Sequence, residues 1–132
     1  MSAAAPVVLM AEDEAILRQM ARRILEGRGY RVLEAADGAE AVKILAGGAK
    51  VDLLMADLEM PVLAGEEMVR QCRVTNPDLK VLYVSGVVDR LFDDRPILWE
   101  GEAFLNKPFT PNGLVEAVNL LVYGSMIKPA QR

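Results

Sequence analysis

Residues 53–65 read LLMADLEMPVLAG. An apolar run ends abruptly on Asp57, and Glu59, Pro61 and Gly65 follow at once. A buried strand that stops on a carboxylate and then turns is aiming that carboxylate. The end of a strand is where a rigid sheet meets solvent, and open α/β sheets collect their function there.

Reading outward from this stretch, apolar strand-like runs alternate with amphipathic helices. Val7–Met10 is a short apolar strand, and the spacing of Leu17, Met20, Ala21 and Ile24 predicts a helix over Glu14–Glu26, ended by Gly27 and Gly29. Arg31–Ala35 reads as a second strand, and Ala39–Leu45 as a helix stopped by Gly47-Gly48. Asp52–Ala56 is the third strand, and Glu66–Val74 a helix closed by Asn76-Pro77. Lys80–Ser85 and Ala103–Leu105 complete the strands, and a last helix runs from Thr110 or Pro111 to Val122. Strands alternating with helices imply a doubly wound parallel sheet with helices on both faces. The stretch 86–101 resists the pattern, because Pro96 interrupts the helix due there. A short helix near Asp89–Asp93 is expected, with Phe92 and Trp99 anchoring an irregular segment.

At 132 residues the chain is about one domain long, read here as 6–123 between tails at 1–5 and 124–132. Hydrophobic residues at 52% and charged ones at 26% place it among ordinary soluble globular proteins. A net charge of −4 argues against a nucleic-acid surface. No apolar run approaches the roughly 18 residues of a membrane span, and the N-terminus lacks the basic region of a signal peptide. The cytoplasm is the expected compartment. Cys72 is the single cysteine, so no intrachain disulfide forms, and its helical spacing from Met68 and Val69 reads as core. There is no histidine. Histidine triads, HExxH zinc sites and a phosphohistidine of the chain's own are therefore excluded.

The polar groups follow the strands: Glu12-Asp13 after the first, Asp57 after the third, Ser85-Gly86 after the fourth, and Asn106-Lys107-Pro108 after the fifth. A parallel sheet brings these ends to one edge. Carboxylates gathered there repel one another, and a divalent cation relieves that repulsion. Oxygen ligands without His or Cys point to Mg²⁺ or Mn²⁺. Lys107 adds a point charge suited to a phosphoryl oxygen.

The ordered set Glu12-Asp13, Asp57, Met60-Pro61, Gly65, Ser85-Gly86 and Lys107-Pro108-Phe109 resembles the receiver domain of two-component response regulators, over about residues 6–122. The resemblance implies a flavodoxin-like sheet of order 2-1-3-4-5. It implies that Asp57 accepts a phosphoryl group from a sensor histidine kinase or histidine phosphotransfer protein. Glu12, Asp13, Asp57 and the backbone carbonyl of Glu59 would hold the metal, and Ser85 and Lys107 would take phosphoryl oxygens. Lys107-Pro108 is similar to a cis peptide of the family. Ser85 and Phe104 would form a switch that changes a surface read by a downstream protein. Such a chain is no ordinary enzyme, although it would catalyse its own phosphorylation and autodephosphorylation.

Ser85 keeps the hydroxyl of the family's commoner threonine, whereas Phe104 lacks the hydroxyl of a tyrosine switch. The side chain of Glu59 has no assigned role. The style of the SG and FLNKPF segments is similar to receivers attached to hybrid kinases, so a stand-alone regulator and a domain of a longer chain both fit. Three rival readings have distinct signatures. A binding module that does not use phosphorylation would ignore acetyl phosphate. A haloacid-dehalogenase-like phosphatase would place its nucleophile after an early strand. A flavin carrier would need a phosphate loop after strand one, where Glu12-Asp13 stands.

Overall fold

The computed structural model describes residues 4–60, 63, 65–86 and 101–124. Five strands, β1 (Val7–Ala11), β2 (Arg31–Ala35), β3 (Leu53–Asp57), β4 (Lys80–Ser85) and β5 (Glu102–Asn106), form one sheet. Its order is β2-β1-β3-β4-β5, and every pairing is parallel. The described helices are α1 (Ala15–Glu26), α2 (Gly38–Ala46), α3 (Gly65–Thr75) and α4 (Pro111–Tyr123). This is the doubly wound, flavodoxin-like arrangement expected. The helix foreseen near Asp89–Asp93, with Phe92, Pro96 and Trp99, lies outside the described residues, as do Pro61 and the segment from residue 125 onward.

The central strands are apolar between their polar ends because both of their faces are covered. Successive side chains point to opposite faces. Leu9 and Ala11, Leu54 and Ala56, and Val81 and Tyr83 join Ala41 and Leu45 of α2 and Met68, Val69 and Cys72 of α3 in one core. Val8 and Met10, Leu53 and Met55, and Leu82 and Val84 join Ala21 and Leu25 of α1 and Leu114, Val118 and Leu121 of α4 in the other. Helices α2 and α3 thus cover one face, and α1 and α4 the other. Cys72 is buried, as its spacing suggested.

Local chemistry sets several element ends. Asp37 caps α2 by accepting from Glu40 N–H at 2.8 Å, while Glu40 reaches back to Ala36 N–H. Thr110 caps α4 through Gly113 N–H at 2.9 Å, with Pro111 opening the helix and Gly124 closing it at φ 74°. The third strand begins one residue later than expected and includes Asp57. Asp52 lies just before it, with its carboxylate accepting from Val7 N–H and its own N–H donating to the Val7 carbonyl, each at 2.8 Å.

Gly65 opens α3 under the turn that follows Asp57. A Cβ there would lie 2.7 Å from Leu58 Cδ2, 3.0 Å from Leu58 Cα and 3.1 Å from the Asp57 carbonyl oxygen. Two of those neighbours are backbone, and the Leu58 side chain is buried. Gly65→Ala is therefore expected to cost about 1–3 kcal/mol through overpacking. Denaturant titration checks this.

Candidate functional site

At the carboxyl edge of the sheet, three rungs continue past the strands. Glu12 N–H donates to the Ala35 carbonyl at 3.1 Å, Leu58 N–H to Val84 at 2.9 Å, and Lys107 N–H to Ser85 at 2.9 Å. The backbone of each polar strand end is thereby tied to its neighbouring strand. The Lys107–Pro108 peptide is cis, as the resemblance implied.

On this frame, carboxylate oxygens of Glu12, Asp13 and Asp57 lie within 4.8 Å of one another. Glu12 and Asp57 are almost fully buried, whereas Asp13 is exposed. Lys107 Nζ donates to Asp57 Oδ2 and to Glu12 Oε1, each at 3.0 Å. Asp57 Oδ1 accepts from Glu59 N–H at 3.0 Å, an Asx-type turn that fixes the orientation of the carboxylate. Glu12 is held from behind: Arg18 Nη1 donates to its carbonyl at 2.7 Å, and Arg18 Nε is paired with Glu34 at 3.0 Å.

Burial, reinforced by the neighbouring Asp57, pushes the Glu12 carboxyl up from 4.5 to about 7 against the opposing pull of Lys107. Burial works against the charge of Lys107, but its bonds to Glu12 and Asp57 outweigh this and hold its pKa above the usual lysine value. Folding therefore favours the protonated form of Glu12. Below pH 4.5 the native and unfolded chains both carry that proton. Between 4.5 and about 7 only the native chain does. Stability from this group is thus greatest on the acid side and is lost as pH rises through the window. In a chelator, the loss is expected to be on the order of 3 kcal/mol. Glu12→Gln should flatten that part of a stability–pH profile.

The chemistry of this donor set suits a hard divalent cation, being oxygen-only and rich in carboxylate. A shallow cavity of about 380 Å³ among Val51, Asp52, Asn76–Lys80 and Val122 lies at the opposite, amino end of the strands. The reactive groups are located instead by the topology of the strand ends.

The sequence profile of the response regulator receiver domain matches residues 8–119. The chain belongs to this family. It is 38% identical over 112 residues to the sensor kinase CckA of Brucella abortus, covering 84% of this chain and 12% of that protein. It is 31% identical to the chemotaxis protein CheY of Thermotoga maritima, covering 85% of this chain and 93% of the relative. Among solved structures, a receiver protein from Sinorhizobium medicae superimposes with a TM-score of 0.80 at 29% identity, over 89% of this chain and 94% of the other. The receiver domain of the hybrid histidine kinase CckA does so with a TM-score of 0.75 at 35% identity, over 88% and 98%. The chain thus spans most of one relative and a small part of another. Membership supports phosphoryl-accepting signalling in a two-component system. No helix among the described residues is long and apolar enough to cross a membrane.

Of the residues singled out in the sequence, the receiver fold brings Glu12, Asp13, Asp57 and Lys107 into one cluster. Ser85 ends β4, beside β3, with its hydroxyl engaged by Glu59. Phe104 pairs in register with Tyr83 and packs, partly buried, against the core on the α2–α3 face. β4 stands between it and the strand that carries Asp57. Two contacts had no signal in the sequence. Arg18 reaches the Glu12 carbonyl from a helix face that reads as ordinary surface. The Glu59 carboxylate turns back onto Ser85 and Gly86.

Proposed function

We propose that Asp57 accepts a phosphoryl group from a histidine kinase or a histidine phosphotransfer protein, with Mg²⁺ (or Mn²⁺) bound by Glu12, Asp13, Asp57 and the Glu59 carbonyl. The observation that carries this reading is the cluster of Glu12, Asp13 and Asp57 carboxylates bridged by Lys107. A carboxylate oxygen of Asp57 attacks phosphorus. The bond from phosphorus to the donor nitrogen (or to oxygen in an acyl phosphate) breaks, and its electron pair leaves with the donor. Such a transfer depends on positioning and charge neutralisation. The cation, when bound, supplies much of that neutralisation. Lys107 exchanges a carboxylate for a phosphoryl oxygen, and the Ser85 hydroxyl donates to another. Movement of Ser85 and of the Phe104 ring then biases a surface read by a downstream protein. The partners are proteins, with no role for nucleic acid or membrane, and the compartment is the cytoplasm.

Acetyl phosphate with Mg²⁺ should add the mass of one phosphoryl group, removable by hydroxylamine, and a chelator should prevent it. Mg²⁺ alone should raise thermal stability, by about 2.7 kcal/mol at a hundredfold excess over its Kd. An unchanged mass, with Mg²⁺ stabilising the fold, would favour an interaction module that does not use phosphorylation.

A further inference from the structure

The side chain of Glu59 is the one acidic group of the LLMADLEMPVLAG segment that the reading above leaves idle. Its contacts are specific. Glu59 Oε1 accepts from Ser85 Oγ at 2.8 Å and from Gly86 N–H at 2.6 Å. One carboxylate oxygen thus takes a hydroxyl and a backbone donor together. Both donors stand at the end of β4, next to the strand that carries Asp57. The Glu59 backbone is itself tied to Asp57 Oδ1. A converging O–H and N–H beside a nucleophile form a small oxyanion site, and here its occupant is the chain's own carboxylate.

We propose that the Glu59 carboxylate is an internal stand-in for a phosphoryl oxygen, holding the Ser85 hydroxyl and the Gly86 N–H until phosphorylation displaces it. The inference rests on Asp57 being the phosphoacceptor. Three physical points support it. The bonds are charge-assisted, so the resting occupancy is favourable and not incidental. A phosphoryl group on Asp57 brings further negative charge to an edge that already holds Glu12, Asp13 and Asp57, so a carboxylate sharing its donors is repelled. Glu59 is an exposed residue, so it can swing into water without opening the core. Glu59 is therefore a positioning residue. It prearranges the donors for an anion, and it competes with the anion that arrives.

Trifluoroberyllate with saturating Mg²⁺, measured by calorimetry, is the probe, because it mimics a phosphoryl group on a carboxylate without turnover. Glu59→Ala should bind it about tenfold more tightly than the wild type. Glu59→Gln, which keeps an acceptor oxygen but no charge, should fall between the two. In the unliganded protein, the Gly86 amide proton should resonate downfield in the wild type and move upfield in Glu59→Ala. Addition of trifluoroberyllate should bring it downfield again. Equal gains for Gln and Ala would reduce the effect to through-space charge and overturn the proposal. So would weaker or unchanged binding by Glu59→Ala, or an unmoved Gly86 resonance. If wild-type protein and variants all fail to bind trifluoroberyllate, the phosphoacceptor reading itself fails and the inference falls with it.

Discussion

Asp57→Asn is expected to abolish phosphorylation by acetyl phosphate while leaving the fold intact. Asparagine is nearly isosteric with aspartate, and its amide oxygen can still accept from Glu59 N–H, as Asp57 Oδ1 does at 3.0 Å. The Leu58–Val84 rung beside it is backbone and survives. What disappears is the nucleophile, because an amide oxygen does not form a stable acyl phosphate. The loss should therefore be complete and not partial, read as an unchanged intact mass under conditions that label the wild type. One of the three clustered carboxylates also disappears, so the thermal shift induced by Mg²⁺ should shrink. Asp13→Asn separates the two effects. It should weaken the response to Mg²⁺ and slow labelling, yet still reach the phosphorylated state at high metal concentration. Labelling of Asp57→Asn to the wild-type extent would place the acceptor elsewhere at this edge and sink the assignment.

The acidic cluster also explains why Lys107 stands where it does. Glu12 and Asp57 are buried side by side, and a buried carboxylate pair without a counter-ion is costly. Lys107 bridges them at 3.0 Å each, from a strand end fixed by its own rung to Ser85. Burial and the neighbouring Asp57 raise the Glu12 carboxyl against the opposing pull of Lys107, so one lysine does not fully offset them. The edge remains short of positive charge, which is the electrostatic condition for taking up a divalent cation.

The fold was legible because its signals are periodic. Apolar runs at β1, β3 and β4 and helical spacing at α1 and α4 are local, so they survive without knowledge of the tertiary structure. The strand-end residues were legible for a topological reason. Once every connection is a crossover between parallel strands, Glu12, Asp57, Ser85 and Lys107 must share an edge. The limit of third-strand reading was equally physical. Asp52 and Asp57 look alike as bounding acids, but the Asp52 carboxylate takes the Val7 N–H at the amino end whereas Asp57 pairs in register with Val84 at the carboxyl end. Side-chain pairing across the edge was not legible at all. Glu59 can reach Ser85 only because the turn after Asp57 folds back, and no spacing in the sequence encodes that reach. The buried Tyr83–Glu102–Arg73 network is similar: Glu102 reads as a surface acid, yet it accepts from Tyr83 at 3.0 Å and from Arg73 at 2.9 Å.

Leu54→Ala is expected to be among the most damaging single changes to stability, at about 3–5 kcal/mol. Leu54 is fully buried in the central strand and lies in register between Leu9 and Val81. Its side chain belongs to the core shared with Ala41, Leu45, Met68, Val69 and Cys72. Truncation removes the transfer energy of the lost carbons and also leaves a void. β3 is hydrogen-bonded on both sides, so it cannot move toward α2 and α3 to fill that void. A domain of this size has roughly 5–15 kcal/mol to lose, so the folded population itself is at risk. Urea titration should show a lower midpoint with an unchanged slope, the sign of lost stability without a changed unfolding reaction. Val74→Ala is the matched control. That side chain is 78% exposed on α3, and its removal should stay within about 0.5 kcal/mol of the wild type. Labelling of the folded fraction of Leu54→Ala should proceed at the wild-type rate, because Asp57 is oriented by Glu59 N–H and Lys107 and not by the core beneath it. A large rate loss at equal folded fraction would show instead that core packing along β3 sets the aim of the nucleophile.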